Sequence, residues 1–180
     1  MTGITYWATF IAQLIVAIIG ENKNTTILDA QNSGMGIIIN NGDPHNFEIH
    51  NLTITNGNAN DGAALYLNAL VSAVINNCII YNNIVGIRNW TYCFGDYTNQ
   101  YFHYSLFYGN NSDVYEDGTA GSWMVYFQNC LFVNPDFNDP TNNDFTLQST
   151  SPCINAGNPS SSFNDPDGTR NDIGAMYYKQ

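Results

Sequence analysis

One short phrase recurs four times in this chain: NLTITNG at 51–57, NCIIYNN at 77–83, YSLFYGN at 104–110 and NCLFVNP at 129–135. The intervals are 26, 27 and 25 residues. A repeat of roughly 20–50 residues marks a solenoid, because one such unit cannot bury its apolar face alone and must stack on its neighbours. The phrases are rich in Ile, Phe, Tyr, Thr and Val, and their apolar positions alternate. That is the period of a strand, and Gly, Asn and Asp gather between the phrases as turn residues do. No interior segment holds about a dozen residues of helical period. Each repeat therefore predicts a coil of short strands.

Aligning the repeats gives columns. Ile49, Ile75, Phe102 and Phe127 share one, Leu52, Cys78, Ser105 and Cys130 a second, and Ile54, Ile80, Phe107 and Phe132 a third. Parity changes between the first and second columns, which predicts a bend at His50–Asn51 and its equivalents. These columns are expected to point inward, with Phe107 and Phe132 central. The flanking segments GIIIN (36–40), ALYLN (64–68), GIRNW (86–90) and DVYED (113–117) align in the same way. Ile37, Leu65, Ile87 and Val114 are expected inside, and Ile38, Tyr66, Arg88 and Tyr115 outside. Asn51, Asn77 and Asn129 fall at the bend, with Tyr104 interrupting them. Such a column predicts a ladder in which each side-chain amide bonds the next.

Two columns on the nominally outward side are apolar: Thr53, Ile79, Leu106 and Leu131, then Thr55, Tyr81, Tyr108 and Val133. Water should not meet so much contiguous apolar surface. The repeat ends at about residue 134, and five of the six prolines follow it. Proline cannot donate to a ladder. The tail, with one more strand at DFTLQS (144–149), is thus expected to cover that face.

Two phrases flank the repeats, IIGENKNTTILDAQNSG at 18–34 and SPCINAGNP…DPDGTRNDIGAM at 151–176. With them the chain resembles the right-handed parallel β-helix of the pectin-lyase-like superfamily, in particular secreted bacterial β-helix repeat proteins. The resemblance covers about residues 15–176. It implies an all-β solenoid of five to six short coils with an irregular C-terminal tail, and an extracellular or cell-surface location. It leaves activity open, since that superfamily holds lyases, hydrolases, adhesins and structural modules. The expected organisation is a single domain over 1–180. Residues 1–19 would form a first coil or short capping helix, 20–133 the repeat coils, and 134–180 the wrapping segment.

Four basic residues against fifteen acidic ones give a net charge of −11, which argues against nucleic acid and anionic membrane as partners. The stretch FIAQLIVAIIG at 10–20 lacks the basic start of a secretory leader and is too short to span a bilayer, so no membrane span is expected. Cys78, Cys93, Cys130 and Cys153 form no CxxC pair. They are expected as buried thiols, with a disulfide as the alternative.

Catalytic groups are scarce. Arg88 is the one basic residue in mid-coil, a poor base candidate in a polysaccharide lyase and a better fit to stacking between Tyr66 and Tyr115. Those three residues are also the candidate carbohydrate-binding set. Asp113, Glu116 and Asp117 are the densest carboxylates within the coils and read as a solvated turn rather than a glycoside hydrolase pair. No GxSxG accompanies His45, His50 or His103. The motif DPDGTRND offers Asp165, Asp167 and Asp172 to a calcium ion (Ca2+), although Pro-Asp-Gly is a turn signal without metal. Sequons at Asn24, Asn51, Asn89 and Asn110 make Asn89 and Asn110 the candidate glycosylation sites, because Asn51 belongs to the ladder.

The expected function is a non-catalytic extracellular structural or surface module, without a cofactor unless calcium is held. Residues 1–19 contain no Lys, Arg, Asp or Glu, so their coil has no charged guard against stacking. A head-to-tail homopolymer, growing into filaments, is the expected partner relation. A carbohydrate-binding module, or a lyase- or hydrolase-like protein acting on a glycan, is the alternative.

Overall fold

The computed structural model describes residues 4–6, 10–12, 17–21, 25–39, 46–58, 63–68, 71–91, 98–118, 123–174 and 176–180. The first coil contains strands β1 (Ile4–Tyr6), β2 (Phe10–Ala12) and β3 (Ala17–Ile19). The second has β4 (Ile27–Asp29), β5 (Ile37–Ile39) and β6 (Asn46–His50), and the third β7 (Thr53–Thr55), β8 (Ala63–Asn68) and β9 (Ser72–Asn76). The fourth has β10 (Ile79–Tyr81), β11 (Val85–Thr91) and β12 (Thr98–His103), and the fifth β13 (Leu106–Tyr108), β14 (Ser112–Gly118) and β15 (Trp123–Gln128). Strands from successive coils pair in parallel to make three five-stranded sheets: β1-β4-β7-β10-β13, β2-β5-β8-β11-β14 and β3-β6-β9-β12-β15. This is a right-handed parallel β-helix. A bridge between Leu106 and Leu131 begins a sixth coil before the chain leaves the stack. Segment 1–19 contributes strands, and among its described residues there is no helix.

The expected register is the observed one. Ile49, Ile75, Phe102 and Phe127 are paired in sequence, as are Ile54, Ile80 and Phe107. So are Ile37, Leu65, Ile87 and Val114. Their side chains make one continuous core in which Ile49, Ile54, Leu65, Ile75, Ile80 and Phe102 are fully buried. Burial of each such side chain stabilises by about 1.5–3 kcal/mol.

The bend is a left-handed backbone position. Asn51, Asn77, Tyr104 and Asn129 have φ of 58°, 54°, 48° and 56°. Asparagine tolerates this region and tyrosine does not, so Tyr104 is held there against its preference. The Asn77 amide donates to Asn51 Oδ1 at 3.0 Å, and the expected ladder ends with that rung, because Tyr104 stands between Asn77 and Asn129 and Asn77 Oδ1 has no partner. Two further ladders went unread in the sequence. Asn82 donates to Asn56 Oδ1 at 2.8 Å, and Asn56 donates to Asp29 Oδ1 at 2.8 Å. Inside them, Asn110 Oδ1 accepts from both the backbone and the amide of Asn83.

The tail runs along the side of the coils. Strands β16 (Phe137–Asp139) and β17 (Asp144–Leu147) form an antiparallel hairpin, so the strand expected at DFTLQS pairs with a tail partner and not with the stack. Phe137, Phe145, Cys153 and Ile173 pack on Ile79 and Leu106, which are 1% and 0% exposed. The tail covers the first of the two apolar columns at Ile79 and Leu106 and packs on Tyr81. The second column is not closed over as expected: Tyr108 and Val133 remain 37% and 42% exposed, because the hairpin packs on the middle coils and leaves the last ones bare. Gly174 allows a close approach: its φ is +82°, and a Cβ there would lie 2.9 Å from Ile79 Cγ1.

One core assignment needs correction. Phe107 is 1% exposed, but Phe132 is 45% and Phe127 38% exposed. Both rings point inward and pack on Phe107 at 5.2–5.3 Å between centroids. No sixth coil lies over them, because the chain turns away along the side. Among the described residues no helix is long and apolar enough to cross a membrane.

Candidate functional site

The arginine column is a sandwich. Arg88 is paired in register between Tyr66 and Tyr115, and its guanidinium carbon lies 6.0 Å and 5.3 Å from the two ring centroids. The side chain is only 6% exposed. A guanidinium stays protonated, so this buried cation serves packing and cannot abstract a proton. Tyr115, at 47% exposed, is the open part of the set.

The tail aspartates do not converge. Asp165 is buried, and its two oxygens accept from the Asn171 amide and the Asp172 backbone N–H. Asp172 is also buried and accepts from the backbone N–H groups of Asn155 at 2.7 Å and Tyr178 at 2.6 Å. Asp167 is exposed; the Thr169 hydroxyl and the Gln180 backbone N–H hold its carboxyl below the usual range. Each carboxylate thus fixes a turn of the tail. Among the described residues no three His, Cys, Asp or Glu side chains gather at metal-binding distance.

The sequons also take structural places. Asn89 is 2% exposed and aligns with Leu67 on the inner face, where a sugar has no room. Asn110 is partly exposed, but its amide donates to Ile80 O and Asp113 Oδ1. Asn24 lies outside the described residues, and Asn51 is in the ladder.

Other chemistry is equally occupied. His50 Nε2 meets Glu48 Oε2 at 2.9 Å, and His103 lies parallel to Tyr101. His45 and the side chains of Glu116 and Asp117 lie outside the described residues. Cys78, Cys130 and Cys153 are free thiols, and Cys93 is outside the described set. Burial pushes Cys78 up to about 12 and Cys153 up to about 11, so neither supplies a thiolate at neutral pH.

Two features were missed in the sequence. Tyr101 and Tyr126 stack outward on the third sheet, 5.1 Å apart and 10° from parallel. Each precedes an aligned phenylalanine, so the column alignment held that signal. The second is a cleft of about 410 Å³ where the asparagine bend meets the tail. His50, Asn51, Asn76, Asn77 and Tyr104 form one wall, and Asn158, Phe163, Asn164 and Asp165 stand on the other. At least 54 residues, from Tyr104 to Asn158, separate the walls in sequence, so no local pattern announces the cleft.

Comparison with known proteins finds no matching family model, no matching curated protein and no matching solved structure.

Proposed function

We propose that this chain is a non-catalytic structural module of an extracellular or cell-surface assembly, whose β-helices stack end to end. The observation that carries this reading is the open end of the fifth coil. β14 and β15 are the last strands of their parallel sheets, β13 is followed only by the single Leu131 bridge, and Phe127 and Phe132 expose their rings there. An unpaired strand edge beside apolar surface is a template for another strand. β1, β2 and β3 stand at the opposite edges of the same sheets with the same polarity. Joining one end to the other continues all three sheets and does not close, so it builds a filament. Membership of the pectin-lyase-like superfamily is part of this proposal, supported by coil length and the two flanking phrases.

Electron microscopy and sedimentation at micromolar concentration test the reading. The expected result is end-to-end oligomers that Phe132→Asp disperses and Thr141→Lys, on the exposed tail, leaves intact. Wild-type monomers would overturn it. So would oligomers unchanged in a Phe132→Asp protein whose circular dichroism shows it folded.

A further inference from the structure

We propose that the cleft between the asparagine bend and the tail loop binds a neutral sugar. Its volume, about 410 Å³, lies in the range of small-ligand sites and holds one or two pyranose rings. The chemistry of its walls narrows the ligand. No Lys or Arg lines it, so nothing there balances an anion, and the chain as a whole carries −11. Its ionisable groups face other protein groups. Asp165 accepts from Asn171 and Asp172, and His50 faces Glu48. A cation or an acidic sugar therefore finds no charge held ready for it.

What the cleft does hold ready is neutral hydrogen-bonding capacity. The Asn76 side chain is half-buried and makes no hydrogen bond to another described residue. Asn158 spends its Oδ1 on the Ser160 N–H, which leaves its amide donors. Asn164 spends its amide on Gly168 O, which leaves its carbonyl oxygen. Fixed amide donors and acceptors side by side match a hydroxyl, which both gives and takes a hydrogen bond. Above them the Ser161–Phe163 turn lifts Phe163 to 56% exposure. An exposed flat ring beside amides suits the C–H face of a pyranose, as an aromatic body with polar neighbours suits other amphipathic partners. The walls are pre-set. Asn51 and Asn77 are locked in the ladder, and the buried Asp165 carboxylate ties down the loop that carries Phe163 and Asn164.

The site lies on the side of the coil, so this proposal stands or falls independently of end-to-end stacking. The test is an NMR titration of the full chain with cellotriose, mannotriose, maltotriose and trigalacturonate, each to about 10 mM, a range that detects affinities of about 1 mM. At least one neutral trisaccharide should shift the side-chain amides of Asn76, Asn158 and Asn164. Phe163→Ala should weaken that binding about tenfold; the ring is exposed, and an unchanged melting profile shows the fold intact. Asn76→Ala should weaken it several-fold. Three results would each overturn the proposal: no neutral trisaccharide binds, trigalacturonate binds as tightly, or Phe163→Ala leaves affinity unchanged.

Discussion

The coils and the tail satisfy their irregular backbone with different chemistry. In the coils the partner is mostly one period away and neutral, with Asp29 and Asp113, in the second and fifth coils, as carboxylate acceptors. Asn77 bonds Asn51, Gly57 N–H bonds Asn83 Oδ1, Cys78 N–H bonds Ser105 Oγ, and Ala73 N–H bonds Gln100 Oε1. In the tail the partner is closer in sequence and is often a carboxylate: Asp172 for Asn155 and Tyr178, Asp165 for Asp172, Asp167 for Thr169 and Gln180, beside neutral acceptors such as Ser151 for Cys153 and Asn158 for Ser160. The reason is stacking. Like sits on like about 4.8 Å apart in a β-helix, so a charge repeated at each rung would repel its own copy, while an amide both donates and accepts. A carboxylate fits only where no copy lies beyond it. Asp29 obeys the rule, since it ends the Asn82–Asn56 ladder as a pure acceptor. The tail has no copies and uses carboxylates freely.

If stacking holds the coils, a core ring should matter in proportion to the coils around it. Phe107 has rings packed on both sides and is 1% exposed. Phe107→Ala should cost about 3–5 kcal/mol in chemical denaturation. Phe132 has the same inward parity but nothing beyond it, and its truncation should cost about 1 kcal/mol, near half the value of full burial. Equal losses would mean that the fifth coil is covered in solution.

If carboxylates hold the tail, Asp172→Ala comes next in size. It strands two backbone N–H groups, each costing about 1–3 kcal/mol when buried without a partner. A loss of about 2–4 kcal/mol is expected, along with exchange of the Asn155 and Tyr178 amides with solvent. Asp167→Ala, at a fully exposed group, should leave the melting temperature nearly unchanged. A reversal of that order would show that the turn residues, not the buried acceptor, shape the tail.

This contrast also explains what was legible in the sequence. Repetition exposes parity, so the inward columns, the bend at Asn51 and the Arg88 sandwich could be read from alignment alone. Covering of Ile79 and Leu106 followed because an apolar outward column needs a cover. Phe132 was misplaced because parity gives direction and not the number of coils above. The Asn56–Asn82 and Asn83–Asn110 ladders were hidden by the abundance of asparagine. Asp165 and Asp172 looked like ligands because a run of aspartates around a turn reads alike whether the acceptors face a metal or backbone N–H groups.

A coupling worth a single hydrogen bond is the sharpest test of the ladder. Asn77 Oδ1 is buried and has no hydrogen-bond partner, because the next position along the bend is Tyr104, whose side chain offers no amide. Tyr104→Asn restores a donor at that rung. Its net effect on stability mixes three terms: relief of the left-handed tyrosine, loss of the ring from the tail contact, and the new bond. A double-mutant cycle with Asn77→Ala separates them, since the first two are present in both Tyr104→Asn arms and cancel. Asn77→Ala should cost about 1 kcal/mol more in the Tyr104→Asn background than in the wild type, the value of one intramolecular hydrogen bond. A coupling below about 0.3 kcal/mol, within the scatter of independent sites, would mean that each rung is held by its own backbone and that the amides do not act as a ladder.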